Sequence, residues 1–137
     1  MAGEQENAFA LRGRIAHFLG DPGMSPENLV HFEDGVLVVE DGKILLCDDA
    51  RSLAGAGFDL AQCEWLPNQL ILPGFIDTHV HSPQIDVIAS YGTQLLDWLN
   101  DYTFPAESRY AQRSFAEASA NDFLDYTLSV GTTTSFV

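Results

Sequence analysis

The second half of the sequence follows the order strand, long loop, helix and strand. Apolar residues at 69–72 and the segment 75–81 predict strands buried on both faces, as in parallel sheets. An amphipathic helix is predicted to begin at Ser114, which opens a capping-box pattern, and to end at Gly131. The β-branched residues of 131–137 then predict another strand. The sequence therefore predicts one βαβ unit of an α/β fold.

A single βαβ unit cannot close a sheet, because its strands and helix leave apolar faces uncovered. A (β/α)₈ TIM barrel typically needs about 250 residues. If the unit belongs to such a barrel, most of the barrel lies beyond Val137 of this 137-residue chain. We therefore expect 69–137 to be the start of a barrel and the chain to be truncated.

Residues 1–68 predict a small antiparallel β unit. Residues 8–19 alternate between apolar and polar side chains, which is the period of a half-buried strand. The segments 36–40 and 43–46 flank an Asp-Gly pair that tolerates the positive φ angles of a type I′ turn, so they predict a hairpin. A further short strand is predicted at 64–66.

Composition limits the classes of partner and location. Six Lys and Arg against twenty Asp and Glu give a net charge of −14, the wrong sign for binding phosphates or anionic lipid. The sequence has neither the pattern of a signal peptide nor an apolar run of about 20 residues. We expect no nucleic-acid or membrane partner and a cytoplasmic location. Cys47 and Cys63 form no C-x-x-C pair, so we interpret both as small apolar residues near a core.

Two histidines, His79 and His81, stand two residues apart on the predicted strand, so both imidazoles project from one face and can reach one ion. Neutral imidazole binds Zn²⁺ and Fe²⁺, and a catalytic site has about three protein ligands plus an open position for water. An isolated H-x-H is more often a pair of satisfied or exposed histidines. Here the pair ends the most apolar strand, where an unpaired ring is costly to bury, and this context favours a metal site.

The segment 73–84 resembles the first barrel strand of the amidohydrolase superfamily, whose H-x-H supplies two metal ligands. It reads Pro-Gly-Phe-Ile-Asp-Thr-His-Val-His-Ser-Pro-Gln. Three later segments follow the order and approximate spacing of guanine deaminases: Leu-Leu-Asp-Trp-Leu at 95–99, Tyr-Thr-Phe-Pro-Ala-Glu at 102–107 and Gly-Thr-Thr-Thr at 131–134. The resemblance is strong over 69–137. It is general over 1–68, where the β unit looks like part of the small β-sandwich domain common to many amidohydrolases.

The resemblance implies roles for individual residues. His79 and His81 would bind the metal, zinc or iron, and His81 would also face the substrate. Gln84 would bind the substrate, because a carboxamide offers a donor and an acceptor to a purine edge, although it could instead close a turn. Trp98 would stack on the purine or be helix core. Asp77 would support the strand and the ligands rather than touch the metal.

The reaction that the resemblance implies is hydrolytic deamination of guanine to xanthine and ammonia by a metal-activated water. The family takes its general acid and its further metal ligands from segments downstream, so we expect no catalytic acid within 1–137. We predict that this chain alone binds metal weakly and does not turn over guanine. A homodimer is expected of the complete protein.

Other functions remain open on the sequence alone. Another amidohydrolase could act on a pterin, cytosine or triazine ring, and a metal-free barrel remnant could serve as a binding subunit. Gln84 and the segments around Trp98 and Phe104 favour guanine over the other rings. A different class of zinc deaminase uses H-x-E followed by P-C-x-x-C, and that pattern does not occur.

Overall fold

The chain divides into two units, one ending at Pro73 and the other spanning Gly74–Val137. The structure is a computed structural model that describes residues 8–92 and 94–137. Among these residues, no helix is both long and apolar enough to cross a membrane. The assignment of 1–68 to a β-sandwich domain and of 69–137 to a barrel stays a prediction.

A four-stranded sheet with the strand order β3-β2-β1-β4 forms the first unit. Its strands are β1 (Ala8–Phe18), β2 (Leu29–Glu40), β3 (Lys43–Asp49) and β4 (Glu64–Ile71). The predicted strand at 8–19 is thereby confirmed. β1 pairs antiparallel with β2, and β2 pairs antiparallel with β3. β4 pairs parallel with β1, so the expectation of a purely antiparallel unit is wrong.

The hairpin of β2 and β3 forms at the predicted Asp-Gly pair. Asp41 has φ 49° and Gly42 has φ 74°, and two positive φ angles are what a type I′ turn requires. Glu40 lies opposite Lys43 across this turn. The local turn chemistry thus sets where the chain reverses.

The prediction of a new, fully buried strand at 69–72 is wrong, because 69–71 belong to β4. Arg14 pairs with Leu70 and Ile15 with Ile71, after a register shift beyond Gly13. Leu70 remains 47% exposed. A run of apolar residues does not distinguish the end of an edge strand from a central one, and here the pairing with β1 decides it.

The core of the first unit lies under β1 and β2, where Ile15 and Val36 are buried. An ion pair stands beside it: Arg12 donates from Nε to Oδ1 of Asp34 at 2.8 Å and from Nη2 to Oδ2 at 2.7 Å. The Arg12 guanidinium also lies 4.8 Å from the ring centre of Trp65. The hydrogen bonds to Arg12 lower the pKa of Asp34, and the hydrogen bond to Asp34 raises the pKa of Arg12.

Between β3 and β4 the chain forms α1 (Ala50–Gly55) and a short 3-10 turn at Leu60–Gln62. Asp49 caps α1 by accepting a hydrogen bond from the Ser52 backbone N–H at 3.0 Å. Cys47 and Cys63 are free, half-buried thiols, and burial raises the pKa of each.

The second unit contains the predicted βαβ arrangement. β5 (Phe75–Asp77) and β6 (Thr132–Ser135) pair in parallel, and α4 (Arg113–Ser129) connects back to β6. Gly131 ends the helix with φ 83°, as its position predicts. The expected burial of the first strand does not occur within this unit, since Phe75 is 57% and Ile76 is 69% exposed.

The predicted capping box of α4 does not form. The helix begins one residue earlier than Ser114, its N-cap is Gln112, and no side chain caps it. Glu117 accepts a hydrogen bond from Arg113 Nε at 2.7 Å instead. Because the helix starts at Arg113, Glu117 lies one turn after this arginine and forms an ion pair with it. The same glutamate therefore does not form the capping box with Ser114.

The segment predicted as a long loop is mostly short helical turns. It contains a 3-10 helix at Ser82–Val87, α2 (Leu95–Trp98), a π-helical stretch at Leu99–Thr103, α3 (Phe104–Ser108) and a 3-10 turn at Arg109–Ala111. Thr103 and Ala106 are buried within this segment. The segment carries most of the residues that the sequence analysis selects as substrate contacts.

Candidate metal and purine site

His79 and His81 lie just after β5 rather than on it, because the strand ends at Asp77. The expectation that both stand on a strand is therefore wrong. The backbone nevertheless continues to bond with the segment after β6: Phe136 N–H donates to the Asp77 carbonyl at 2.9 Å, and Val80 N–H donates to the Phe136 carbonyl at 3.1 Å. These two bonds hold the chain carrying the histidines at the carboxyl end of the parallel pair.

The two imidazoles converge even without strand geometry. Their Nε2 atoms are 3.1 Å apart, and the ring centres are 5.0 Å apart at an interplanar angle of 58°. Two nitrogens that each lie about 2.0–2.1 Å from one tetrahedral ion would be roughly 3.3 Å apart. The separation of the Nε2 atoms therefore fits two ligands of a single metal ion.

Asp77 supports this geometry from the end of β5. Its Oδ1 accepts a hydrogen bond from the His79 backbone N–H at 3.1 Å. A short carboxylate that bonds the backbone two residues on stabilises a turn of this kind. Asp77 thus acts on the main chain that carries His79.

The described residues supply only two metal ligands at this position. Within 8–92 and 94–137, no group of three or more His, Cys, Asp and Glu side chains could hold an ion. A catalytic zinc site uses about three protein ligands. The donor type and spacing of His79 and His81 fit a metal, but two imidazoles are fewer ligands than such a site uses.

Gln84 lies in the 3-10 helix directly after the histidines. Its backbone N–H donates to the His81 carbonyl at 3.0 Å, so the turn begins where the histidine segment ends. Its side-chain Nε2 donates to Oε1 of Glu107 at 3.0 Å. Both side chains are half-buried. The turn-closing alternative applies to the Gln84 backbone, while its side chain reaches across to α3.

A cleft of about 400 Å³ brings these residues together. The cleft is lined by all four residues selected from the sequence as metal or substrate contacts: His79, His81, Gln84 and Trp98. Trp98 reaches it from a separate segment, later in the chain than Gln84. The other lining residues are largely apolar: Asp77, Val80, Ile85, Val87, Ile88, Ala89, Phe123, Tyr126, Thr127, Val130 and Thr132. An apolar cleft with a few converging polar groups is the usual form of a small-molecule site.

Trp98 is half-buried at the end of α2. It lines the cleft, so it is not enclosed helix core. An indole at this wall offers a flat apolar face to a flat ligand. The structure therefore places all the residues selected from the sequence around one cavity.

Sequence reasoning missed the side chains that hold the 3-10 helix Ser82–Val87 in place. Arg109 Nη1 donates to Oδ2 of Asp86 at 2.8 Å, and the Tyr110 hydroxyl donates to the Ser82 carbonyl at 3.3 Å. Glu107 is part of the family-like segment 102–107, but nothing in its spacing predicted a contact with Gln84. Contacts between residues 23 or more positions apart carry no local periodic signal.

The family resemblance is confirmed by comparison with known proteins. Residues 70–136 match the model of the amidohydrolase family. The chain is 34% identical over 131 residues to guanine deaminase of Escherichia coli K12, covering 93% of this chain and 30% of that protein.

Solved structures give the same relationship. Guanine deaminase from Bradyrhizobium japonicum matches with a TM-score of 0.83 at 35% identity, over 93% of this chain and 28% of that one. Guanine deaminase from C. acetobutylicum, solved with guanine in its active site, matches with a TM-score of 0.73 at 25% identity, over 94% of this chain and 29% of that one. The chain spans about 30% of the length of the relatives that it matches. Residues 70–136 thus resemble the amidohydrolase family, and the chain as a whole is similar to guanine deaminases.

Proposed function

We propose that the protein containing this chain is a metal-dependent guanine deaminase that hydrolyses guanine to xanthine and ammonia. The observation that carries the proposal is the placement of two converging imidazoles and a carboxamide on one cleft: the Nε2 atoms of His79 and His81 are 3.1 Å apart, and Gln84 lines the same cavity. Similarity to guanine deaminases supports the choice of substrate.

His79 and His81 would hold the metal through their Nε2 atoms. The ion is Zn²⁺ or Fe²⁺ in this proposal, since both accept neutral imidazole. A bound divalent ion of this kind makes water a nucleophile at neutral pH. Asp77 keeps the turn at His79 in place through its bond to the backbone. The chain would thus contribute two oriented ligands, and the remaining ligands would come from outside 1–137.

Gln84, Trp98 and His81 would bind the purine. The Gln84 carboxamide can exchange hydrogen bonds with a heterocycle edge, and the Trp98 indole can stack against the ring. The apolar lining of the cleft excludes water from the remaining purine surface. Proton transfer to the ring and to the departing amine would use an acid from outside this chain.

We also propose that the complete protein is a homodimer, as the family resemblance implies, and that it lies in the cytoplasm. Its substrate would be a small purine, with no nucleic-acid or membrane partner. Light scattering on the full-length protein tests the dimer, and a monomer would contradict it.

The test of function is conversion of guanine to xanthine by the full-length protein, followed by the absorbance of both purines and by ammonia release. A panel containing a pterin, cytosine and a triazine runs beside guanine. We expect guanine to have the highest kcat/KM. A higher kcat/KM for another ring would indicate a different amidohydrolase activity. If the protein converted none of these substrates and bound no metal, a non-catalytic relative would be favoured.

A further inference from the structure

Glu107 does not line the cleft, but it is hydrogen-bonded to a residue that does. Its Oε1 accepts a hydrogen bond from Gln84 Nε2 at 3.0 Å, and both side chains are half-buried. Gln84 lines the cleft, whereas Glu107 does not. The hydrogen bond to Gln84 therefore links Glu107 to the cleft.

The hydrogen bond to Glu107 determines which atom of the Gln84 carboxamide can bond a ligand. An ionised carboxylate has no proton to donate, so the amide nitrogen of Gln84 must face Glu107. One N–H of Gln84 is thereby used. Within 8–92 and 94–137, the side-chain oxygen of Gln84 accepts no hydrogen bond, so it is left as an acceptor for a ligand.

Neighbouring contacts hold the main chain under Gln84. On one side of it in sequence, the Ser82 carbonyl accepts from the Tyr110 hydroxyl, and on the other, Asp86 pairs with Arg109 at 2.8 Å. The Arg109 guanidinium also lies 4.0 Å from the ring centre of Phe115. These contacts position the backbone of the turn. The orientation of the Gln84 carboxamide depends instead on its hydrogen bond to Glu107.

We propose that Glu107 is a positioning residue that turns the oxygen of Gln84 toward the ligand, so that the site selects a purine edge carrying N–H donors. Guanine presents such an edge, with a ring N–H beside its exocyclic amine. This inference rests on the proposed guanine deaminase function. Without Glu107, the carboxamide could rotate by half a turn and present its N–H groups to the ligand. The hydrogen bond to Glu107 prevents this rotation.

The test is Glu107→Gln in the full-length protein, because glutamine can both donate and accept and so permits both orientations of Gln84. We expect the KM for guanine to rise by about tenfold, as for loss of one hydrogen bond between the Gln84 carboxamide and the ligand. The kcat should stay within about twofold, since the chemistry itself does not involve Glu107. Glu117→Gln is the matched control, because Glu117 lies on α4 and pairs with Arg113.

The same substitution in a Gln84→Ala background separates positioning from a structural effect. If Glu107 acts through Gln84, Glu107→Gln adds no further change in KM to that background. An equal rise in KM in both backgrounds, or no rise in the wild-type background, would overturn the proposal.

An NMR readout makes the result independent of turnover. In ¹⁵N-glutamine-labelled protein, the Gln84 side-chain amide is identified by its absence from Gln84→Ala. We expect its exchange with solvent to be slow in the wild type and faster in Glu107→Gln, and unchanged exchange would contradict positioning. Wild-type protein that does not deaminate guanine would overturn the proposed function and the substrate part of this inference, while the NMR result still decides whether Glu107 holds Gln84.

Discussion

The Nε2 atoms of His79 and His81 lie 3.1 Å apart, although both residues follow the end of β5. Their convergence arises from the backbone bonds of Asp77 and Val80 with Phe136 and from the carboxylate of Asp77 bonding the His79 N–H. A pair of nitrogens at this separation can bind one ion without rearrangement, so its first consequence concerns metal binding.

In the full-length protein, His79→Ala or His81→Ala should remove most of the bound metal, because each deletes one of about three protein ligands. Metal content per chain, measured by plasma mass spectrometry after dialysis, checks this. His31→Ala is the control, since His31 lies on β2 in the first unit. Equal metal content in all three variants would show that the ion binds elsewhere.

The 137-residue chain alone should bind zinc at least about tenfold more weakly than the full-length protein, because two imidazoles form an incomplete ligand set. It should not convert guanine to xanthine. Competition with a chromophoric chelator measures the affinity, and purine absorbance measures turnover. Measurable xanthine formation by the purified chain would contradict the prediction.

Gln84→Ala in the full-length protein should raise the KM for guanine by about tenfold or more, because it removes a hydrogen-bonding group that lines the cleft. Steady-state kinetics with guanine give this value. Gln112→Ala is the matched control: Gln112 is the exposed N-cap of α4 and makes no side-chain capping bond. If both variants behave alike, Gln84 has no role in binding.

The Arg12–Asp34 pair should make stability depend on pH. The pKa of Asp34 is lowered in the folded protein by its hydrogen bond to Arg12. Its stabilisation is therefore present above the unfolded pKa of about 3.9 and is lost as pH falls through the lower folded value. Because the Asp34 side chain is 42% exposed, the pair should contribute only about 0.5–1 kcal/mol.

Thermal unfolding of Asp34→Asn at several pH values checks this. The difference in Tm from the wild type should be present at pH 7 and should shrink in acid, where the carboxylate of the wild type is protonated. Glu33→Gln changes a neighbouring carboxylate that is 81% exposed, and it should leave Tm nearly unchanged. A Tm difference that stayed constant from neutral to acidic pH would argue against the ion pair as the cause.

Gly131→Ala should destabilise the second unit by about 1–2 kcal/mol, because Gly131 has φ 83° and an L side chain is strained in that region. Gly55→Ala provides the contrast. Gly55 lies in α1 with open space around its missing Cβ, so alanine there should be neutral or slightly stabilising. Denaturant unfolding monitored by circular dichroism gives both values, and equal effects would remove the conformational explanation.

Much of the local structure was predictable because it depends on neighbouring residues. The turn at Asp41 and Gly42, the end of α4 at Gly131 and the strand β1 all follow from backbone preferences and short-range periodicity. The capping box of Ser114 was mispredicted because the same glutamate can pair with Arg113. Local sequence patterns predict which contacts are possible. They do not predict which of two contacts forms when both need the same side chain.

By itself, the sequence predicted the resemblance to the amidohydrolase family and identified His79, His81 and Gln84 as candidate site residues, because the motif that carries them resembles the motif of that family. Only the tertiary structure decided that 69–71 belong to β4, that the histidines converge beyond β5, and that Glu107 bonds Gln84. Each of these depends on contacts between segments distant in sequence. Such contacts are selected by the packing and pairing of the whole unit, which no local pattern encodes.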